Sequence, residues 1–272
     1  MILADYHMHS SNSGDSETPM EEMTLSSIKM GLKEICFTEH MDMDFPLLPG
    51  LPPDPFLLDV EAYKNELTYY KEKFADKINI KFGIEIGMQE QVASENTALI
   101  KTHDFDFVIA SLHLLDHNDP YYGEFWGGKK VEDVLRHYFE ETLKNIKLFS
   151  DFDVLGHLDY IARYVPEGDH TYSYERFKDI IDEILKYLAD SGKGLDLNSN
   201  ALKSFSYGNS NPSPEAIARF RELGGKIITF GSDAHTPEGV ASAFDQMRDI
   251  ALNAGFTEYY TFEKRVPTAH NL

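Results

Sequence analysis

The stretch ADYHMHSSNSGDSE, near the start of the chain, contains three side chains that can bind a metal ion: His7, His9 and Asp15. In a β-strand, side chains two residues apart point to the same face, so the imidazoles of His7 and His9 would project together. Two neutral imidazoles on one face suit a divalent metal ion of borderline softness. A polar loop that follows an edge strand would account for this pair equally well, so the rest of the chain has to decide.

Residues that can bind a metal recur where other apolar runs of the sequence end. The apolar runs span residues 1–7, 34–40, 78–86, 106–113, 152–158, 194–200, 226–235 and 258–262. The metal-capable residues at or near their ends are His7, His9, His40, Glu85, His113, His157, Asp233 and His235. We interpret the remaining histidines as solvated or locally hydrogen-bonded, and they are His103, His117, His137, His170 and His270. Chance would not place six of the eleven histidines at the ends of apolar runs.

Between the apolar runs lie segments with helical spacing. In residues 174–191, apolar side chains recur at i, i+3, i+4 and i+7, and Gly192 follows as a helix stop. A second helix is predicted to begin with Ser213 as N-cap and Pro214 at the first helical position. The proline-rich residues 45–56 suit neither a helix nor a central strand, and we expect a long loop there. Alternating strands and helices favour a parallel α/β sheet, and seven or eight such units favour a barrel.

In a barrel of this kind, the carboxyl ends of the parallel strands meet on one face, where active sites are found. The metal-capable residues at the ends of the apolar runs would therefore lie close together. A chain of 272 residues has room for one such barrel or for two smaller domains.

Composition restricts the partners of this protein. The formal net charge of −21 disfavours nonspecific binding to nucleic acid or to anionic lipid, because both require a positive field. Cys36 is the one cysteine in the sequence, which excludes an intrachain disulfide and favours a reducing compartment such as the cytoplasm. No stretch of the sequence is typical of a signal peptide or a transmembrane span. An anionic substrate would need a strong local source of positive charge, which a metal cluster would supply.

The motifs DYHMHS with Asp15, FTEH, GIEI, SLH, GHLD and GSDAH resemble those of the PHP family, which is named for polymerase and histidinol phosphatase. The matching motifs extend from His7 to His235 and leave little room for a second domain. The resemblance implies that residues 1–272 form a single PHP-type metallophosphoesterase domain. The implied fold is an α/β, distorted (β/α)7 TIM-like barrel that holds a cluster of two to three divalent metal ions.

The resemblance also implies three sets of metal ligands. The first set is His7, His9, Glu85 and Asp233. The second set is Glu85, His113 and His157, with Glu85 bridging the first two ions. The third set is Asp15, His40 and His235. Zinc is the expected metal, with manganese or iron as alternatives, because the oxygen ligand Asp15 lowers the preference of the third site for zinc.

Such a cluster performs hydrolysis without a protein nucleophile. Metal ions a few ångströms apart lower the pKa of a bridging water towards neutrality and clamp the oxygens of a phosphate ester. We expect the bridging water to be held through Glu85, His113, His157 and Asp233.

The sequence after His157 narrows the substrate class. GHLDYIARY resembles the corresponding motif of the monofunctional histidinol-phosphate phosphatases of the family, in which the arginine, here Arg163, contacts the substrate phosphate. A surface arginine on a short helix is the alternative interpretation. The resemblance implies hydrolysis of the small metabolite L-histidinol phosphate in histidine biosynthesis, without nucleic acid or membrane partners. Asp42 could contact the substrate ammonium, assist proton transfer or be a solvated loop acid.

Two other functions stay open at this point. One is a phosphoesterase or nuclease of the same family with a different substrate, although a nucleic acid would call for a basic groove. The other is a non-catalytic scaffold that metal ions merely stabilise. Structural zinc sites usually have four protein ligands and no open position, whereas about nine ligands would serve up to three ions here. The sequence leaves the general acid and the oligomeric state undetermined.

Overall fold

The computed structural model describes residues 2–48, 50–204 and 209–272, and Met1, Pro49 and residues 205–208 lie outside the described residues. Seven parallel strands form one sheet in sequential order. They are β1 (Ala4–Met8), β2 (Glu34–Met41), β3 (Asn79–Gly87), β4 (Phe107–Ser111), β5 (Val154–Leu155), β6 (Gly194–Asn198) and β7 (Ile228–Gly231). A parallel bridge between Met8 and Ala234 brings the end of β1 beside the chain that follows β7. The sheet therefore closes almost completely, and the predicted (β/α)7 TIM-like barrel is confirmed.

Helices follow the barrel strands along the chain. They are α1 (Met20–Lys29), α2 (Val60–Lys73), α3 (Ala93–Thr102), α4 (Val131–Leu148), α5 (Lys178–Asp190), α6 (Ala201–Ser204), α7 (Pro214–Glu222) and α8 (Phe244–Asn253). Their apolar faces and the strands form one continuous core. Within the described part of the chain, none of these helices combines the length and the apolar character needed to cross a membrane.

Local sequence accounts for where individual helices begin. The segment predicted as helix over residues 174–191 starts with a 3₁₀ turn, Tyr174–Arg176, because the side chain of Ser173 accepts a hydrogen bond from the Arg176 N–H. The α-helix α5 then begins at Lys178. Ser213 caps α7 by accepting a hydrogen bond from the Ala216 N–H, as predicted. The described parts of the proline-rich stretch contain neither helix nor strand, which confirms the predicted loop between β2 and α2.

Two predicted strands differ from the structure. The fifth apolar run forms only Val154–Leu155, because the chain leaves the ladder at Gly156 and continues into a 3₁₀ helix, Tyr160–Tyr164. The eighth run forms β8 (Glu258–Glu263), which pairs antiparallel with β9 (Val266–Asn271) and stays outside the barrel sheet.

The β8–β9 hairpin packs against the end of the barrel where the strands begin. The Lys264 N–H at the hairpin turn donates a hydrogen bond of 3.0 Å to the carboxylate of Asp106, directly before β4. The neighbouring Arg265 guanidinium contacts Asp153, directly before β5. The hydroxyl of Tyr6 donates to the carbonyl of Phe262 at 3.0 Å. The hairpin therefore covers this end of the barrel and leaves the opposite end, where the strands finish, open.

Candidate metal centre

The predicted ligands come together at the carboxyl ends of the barrel strands. His7 lies on β1, His40 on β2 and Glu85 on β3, while Asp233 follows β7. Backbone hydrogen bonds hold the ends of β1 and β7 side by side, since the Asp233 N–H donates to the His7 carbonyl at 2.7 Å. The His9 N–H donates to the Ala234 carbonyl at 2.9 Å in the same way.

The first predicted set surrounds one oxygen of Glu85. Glu85 Oε2 lies 3.1 Å from His7 Nε2 and 3.5 Å from His9 Nε2. Asp233 Oδ1 lies 3.6 Å from His7 Nε2 and 3.5 Å from His9 Nε2. Two imidazole nitrogens and two carboxylate oxygens therefore face one another within a few ångströms.

The second predicted set faces the other oxygen of the same carboxylate. Glu85 Oε1 lies 3.0 Å from His157 Nε2 and 3.3 Å from His113 Nε2. The Ser111 hydroxyl, at the end of β4, also donates to Glu85 Oε1 at 2.6 Å. Glu85 thus presents one oxygen to each of two histidine sets, which is the arrangement expected of a carboxylate that bridges two ions.

The third predicted set lies beside the first. Asp15 Oδ2 is 3.1 Å from His235 Nε2 and 3.4 Å from His40 Nε2. The ring of His9 stacks on both of these histidines, with centroid distances of 4.2 Å to His40 and 4.3 Å to His235. His40 Nδ1 is also 3.1 Å from Glu85 Oε2, so the third set is continuous with the first.

Divalent cations fit this arrangement of donors. Several buried polar atoms in the described part of the centre have no hydrogen-bond partner, among them His7 Nε2, His9 Nε2, His235 Nε2 and Glu85 Oε2. Native proteins pair nearly all buried polar atoms, so a group of unpaired nitrogens and carboxylate oxygens indicates an ion. Overlapping groups of three His, Asp and Glu side chains place their ligand atoms within 4.8 Å of one another. Mixed imidazole and carboxylate donors are suited to zinc and to neighbouring transition metals.

The electrostatics of the centre favour the ligating protonation state of Glu85 and His9, whereas neighbouring carboxylates raise the pKa of His7, His40, His113 and His235 despite their burial and favour the protonated form of these four imidazoles. Burial alone would raise the pKa of Glu85, but His7, His113 and His40 together hold it well below its usual value. Burial, together with the positive fields of His40 and His235, lowers the pKa of His9 to about 3. A carboxylate and neutral imidazoles are the forms that bind metal ions.

Two carboxylates that hold the imidazoles in place were not predicted as ligand supports. Asp196 Oδ2, on β6, is 2.8 Å from His7 Nδ1, and Asp42 Oδ1, just after β2, is 2.8 Å from His113 Nδ1. Each contact occupies the nitrogen that faces away from Glu85 and so directs Nε2 of the same ring towards the centre. An acidic residue inside a buried strand, as Asp196 is in GLDLN, is the signal that could have revealed the first of them.

The Glu39 carboxylate supports His9 indirectly, through the hydroxyl of Ser13. The Ser13 hydroxyl is 3.1 Å from His9 Nδ1 and donates to the buried Glu39 carboxylate at 2.6 Å. The Ser10 N–H and hydroxyl also donate to Glu39, which fixes the loop that carries Asp15.

Arg163 lies in the wall of the centre rather than on the surface. Its guanidinium donates to Asn211 Oδ1 at 2.7 Å, to Asn198 Oδ1 at 2.9 Å and to Asp233 Oδ2 at 3.0 Å. The side chain is 3% exposed, which excludes the alternative of a surface arginine. Its guanidinium carbon also lies 5.2 Å from the centroid of the Tyr160 ring.

A cavity of about 270 Å³ opens onto this centre. Its lining residues are Asp15, His40, Asp42, Phe45, Phe56, His113, Asp119, His157, Tyr160, Arg163, Tyr164, Asn200, Asp233 and His235. Asp42 and Phe45, from the loop after β2, contribute to this lining. Asp44, between them in the sequence, is outside the lining set, and its carboxylate accepts a hydrogen bond from Gln91.

Comparisons with known proteins agree with this fold and site. The PHP domain matches residues 5–200 of the chain. A histidinol-phosphatase of Lactococcus lactis is 36% identical over 268 residues, which cover 96% of this chain and 95% of the relative. The chain therefore belongs to the PHP family.

Solved structures extend the comparison to three dimensions. A histidinol phosphate phosphatase from Lactococcus lactis, crystallised with zinc, L-histidinol and phosphate, has a TM-score of 0.89 at 34% identity and covers 98% of both chains. A Listeria monocytogenes structure with a TM-score of 0.75 and 20% identity, covering 89% of this chain and 99% of its own, shares the fold.

The Asp196 contact leads to a prediction about metal affinity. Replacing Asp196 by asparagine removes the charged acceptor that holds His7 Nδ1, so zinc should bind roughly 10- to 100-fold more weakly. Competition with a zinc chelator measures this affinity. Asp190→Asn, at an exposed acid at the end of α5, is the matched control and should bind zinc as the wild type does. Equal affinity of Asp196→Asn and wild type would contradict the proposed support of His7.

Proposed function

We propose that this chain is a metal-dependent histidinol-phosphatase that hydrolyses L-histidinol phosphate to L-histidinol and phosphate. The observation that carries the proposal is the Glu85 carboxylate, whose two oxygens face separate histidine sets beneath an open cavity. The Lactococcus lactis structure with zinc, L-histidinol and phosphate supports it through similarity over nearly the whole chain. The proposal treats residues 1–272 as a single PHP-type barrel domain, in keeping with the packing of the C-terminal hairpin on the barrel.

Two to three divalent ions would be held by the three sets described above, with zinc favoured over manganese or iron. Asp15, His40 and His235 would form the third site, and Glu85 would bridge the first two. When bound, such ions supply positive charge to the phosphate oxygens and lower the pKa of a water that attacks phosphorus. This local positive charge would offset the repulsion between a phosphate ester and a protein with a net charge of −21.

Arg163 would bind the phosphate from the wall of the cavity. A guanidinium offers a planar fork of N–H donors that matches two phosphate oxygens. The contacts to Asn198, Asn211 and Asp233 hold this fork in one orientation before the substrate arrives. Because Asp233 Oδ1 faces the first histidine set while Oδ2 accepts from Arg163, one carboxylate positions the phosphate-binding group relative to the metal centre.

The proposed substrate is a small metabolite rather than a polymer. A cavity of about 270 Å³ suits a compact ligand, and the acidic charge of the chain disfavours nucleic acid. The cytoplasmic location stays a prediction from the use of cysteine, and the absence of membrane partners stays a prediction from composition.

The bridging role of Glu85 predicts the metal content. Purified wild-type protein should carry two to three equivalents of zinc, manganese or iron. Glu85→Gln should lose more than one equivalent of metal, because the substitution removes a negative charge that would bind two ions. Elemental analysis measures both values, and Glu90→Gln, at an exposed acid after β3, is the control. Fully active protein without metal would refute the assignment.

The guanidinium fork of Arg163 predicts a kinetic defect. A charge-assisted two-point contact with phosphate contributes about 2–3 kcal/mol, so Arg163→Ala should lower kcat/KM by roughly 30- to 150-fold. Metal analysis of the same variant checks that Asp233 still supports the centre. Arg176→Ala, which removes an exposed arginine, should keep the wild-type kcat/KM. An unchanged kcat/KM in Arg163→Ala would exclude the proposed phosphate contact.

The proposed substrate predicts strong selectivity. L-Histidinol phosphate carries an ammonium group and an imidazole in addition to its phosphate, so it can form two further charge-assisted contacts. At about 1.5–3 kcal/mol each, these contacts should raise its kcat/KM at least ~100-fold above that of glycerol phosphate or p-nitrophenyl phosphate. The protein should also restore growth without histidine to cells that lack this phosphatase. Equal hydrolysis of sugar phosphates or dinucleotides would favour a broader phosphoesterase.

A further inference from the structure

Asp119 is a cavity-lining carboxylate that the proposed metal centre does not use. The acids that line the cavity are Asp15, Asp42, Asp119 and Asp233. Asp15 and Asp233 belong to the proposed ligand sets, and Asp42 holds His113. Asp119 instead accepts a hydrogen bond of 2.9 Å from the backbone N–H of Tyr121. Among the described lining residues, it is the acid without a hydrogen bond or ion pair to a histidine of the centre.

The loop after β4 places this carboxylate at the cavity. Leu115 and Asn118 pair across a tight turn whose central residues, Asp116 and His117, both adopt positive φ. Such a turn reverses the chain and returns Asp119 towards the barrel axis. The indole N–H of Trp126 then donates to the carbonyl of Pro120 at 3.0 Å and anchors the chain just beyond Asp119.

An aromatic wall connects the metal centre with this loop. The Tyr160 ring lies 4.8 Å from the His157 ring and 5.0 Å from the Tyr164 ring, between ring centroids. Tyr164 in turn lies 5.8 Å from Tyr121, whose N–H binds Asp119. A flat heterocycle or a cationic nitrogen packs favourably on aromatic faces of this kind.

We propose that Asp119 determines substrate specificity by pairing with a protonated nitrogen of the substrate, next to the wall formed by Tyr160 and Tyr164. This inference rests on the proposed function, because L-histidinol phosphate offers such a nitrogen in its ammonium group and in its imidazole. Burial raises the pKa of Asp119, so the desolvated carboxylate is stabilised by a cationic partner. The cavity is then divided, with the metal centre and Arg163 taking the phosphate and Asp119 taking the cationic end.

The test compares zinc-loaded wild-type protein with Asp119→Asn, which keeps the shape of the side chain and removes its charge. L-Histidinol is used as a competitive inhibitor of p-nitrophenyl phosphate hydrolysis, and its binding is measured separately by titration calorimetry. In Asp119→Asn, Ki and Kd for L-histidinol should rise about 10- to 100-fold. The ratio of kcat/KM for L-histidinol phosphate to that for p-nitrophenyl phosphate should fall by a similar factor. Asp119→Glu should recover part of the loss, since it restores the charge.

Two controls separate the outcomes. Glu124→Gln, at an exposed acid of the same loop, should keep the wild-type Ki, Kd and substrate ratio. The des-amino analogue of L-histidinol identifies the paired nitrogen: it binds equally to wild type and Asp119→Asn if Asp119 pairs with the ammonium, and binds more weakly to the variant if Asp119 pairs with the imidazolium.

The result that overturns the inference is an unchanged Kd for L-histidinol in Asp119→Asn, or an equal loss of kcat/KM with both substrates. Absence of L-histidinol binding to the wild type would overturn it as well. If the wild type prefers another ester while Asp119→Asn still weakens L-histidinol binding, the role of Asp119 in binding a cationic nitrogen is supported and L-histidinol phosphate is excluded as the preferred substrate.

Discussion

The ionised carboxylate of Glu85, buried at the centre of the barrel mouth, is the group on which the surrounding arrangement depends. An isolated charge in this position would cost several kcal/mol, so it requires opposite charge or strong donors on every side. Oε1 faces His113, His157 and the Ser111 hydroxyl, while Oε2 faces His7 and His9. These residues come from several strands or from the loops directly after them. The burial of the Glu85 charge thus restricts the positions of several strand ends, because each of them must bring a partner to the same carboxylate.

That convergence leaves no room for a side chain at two positions. A Cβ atom on Gly231 would lie 2.6 Å from Asp196 Oδ1 and would overlap the side chain of His7. A Cβ on Gly87 would overlap the carboxylate of Asp42. The glycines therefore let Asp196 and Asp42 approach their histidines, and a larger residue at either position would have to displace one of these carboxylates. We regard these glycines as part of the metal centre, although neither has a functional group.

The sequence predicted that the metal-capable residues lie close together, because strand ends in a parallel barrel meet on one face. Their division into three ligand sets came from the family resemblance and stays a prediction. The sequence did not predict Asp196 as the support of His7, since the two residues are far apart in sequence and no spacing rule relates them. The short fifth strand was also missed, because apolar character continues through Leu158 after the hydrogen-bonded ladder has ended. The last apolar run resembles a barrel strand in sequence, because alternating buried residues occur in a hairpin strand as well. Tertiary contacts, rather than this pattern, decide that the run pairs with β9.

The acidity of the chain bears on how a phosphate ester is captured. A net charge of −21 repels an anion at long range, so the affinity has to come from groups that act at contact distance. Such groups are effective when they are already oriented, because no side-chain freedom is then lost on binding. Arg163, held by hydrogen bonds of 2.7–3.0 Å to Asn211, Asn198 and Asp233, meets this condition. A substrate with a cationic group beside its phosphate reduces the long-range repulsion, whereas a purely anionic ester meets all of it. The acidic surface thereby favours the same class of substrate as the carboxylate of Asp119.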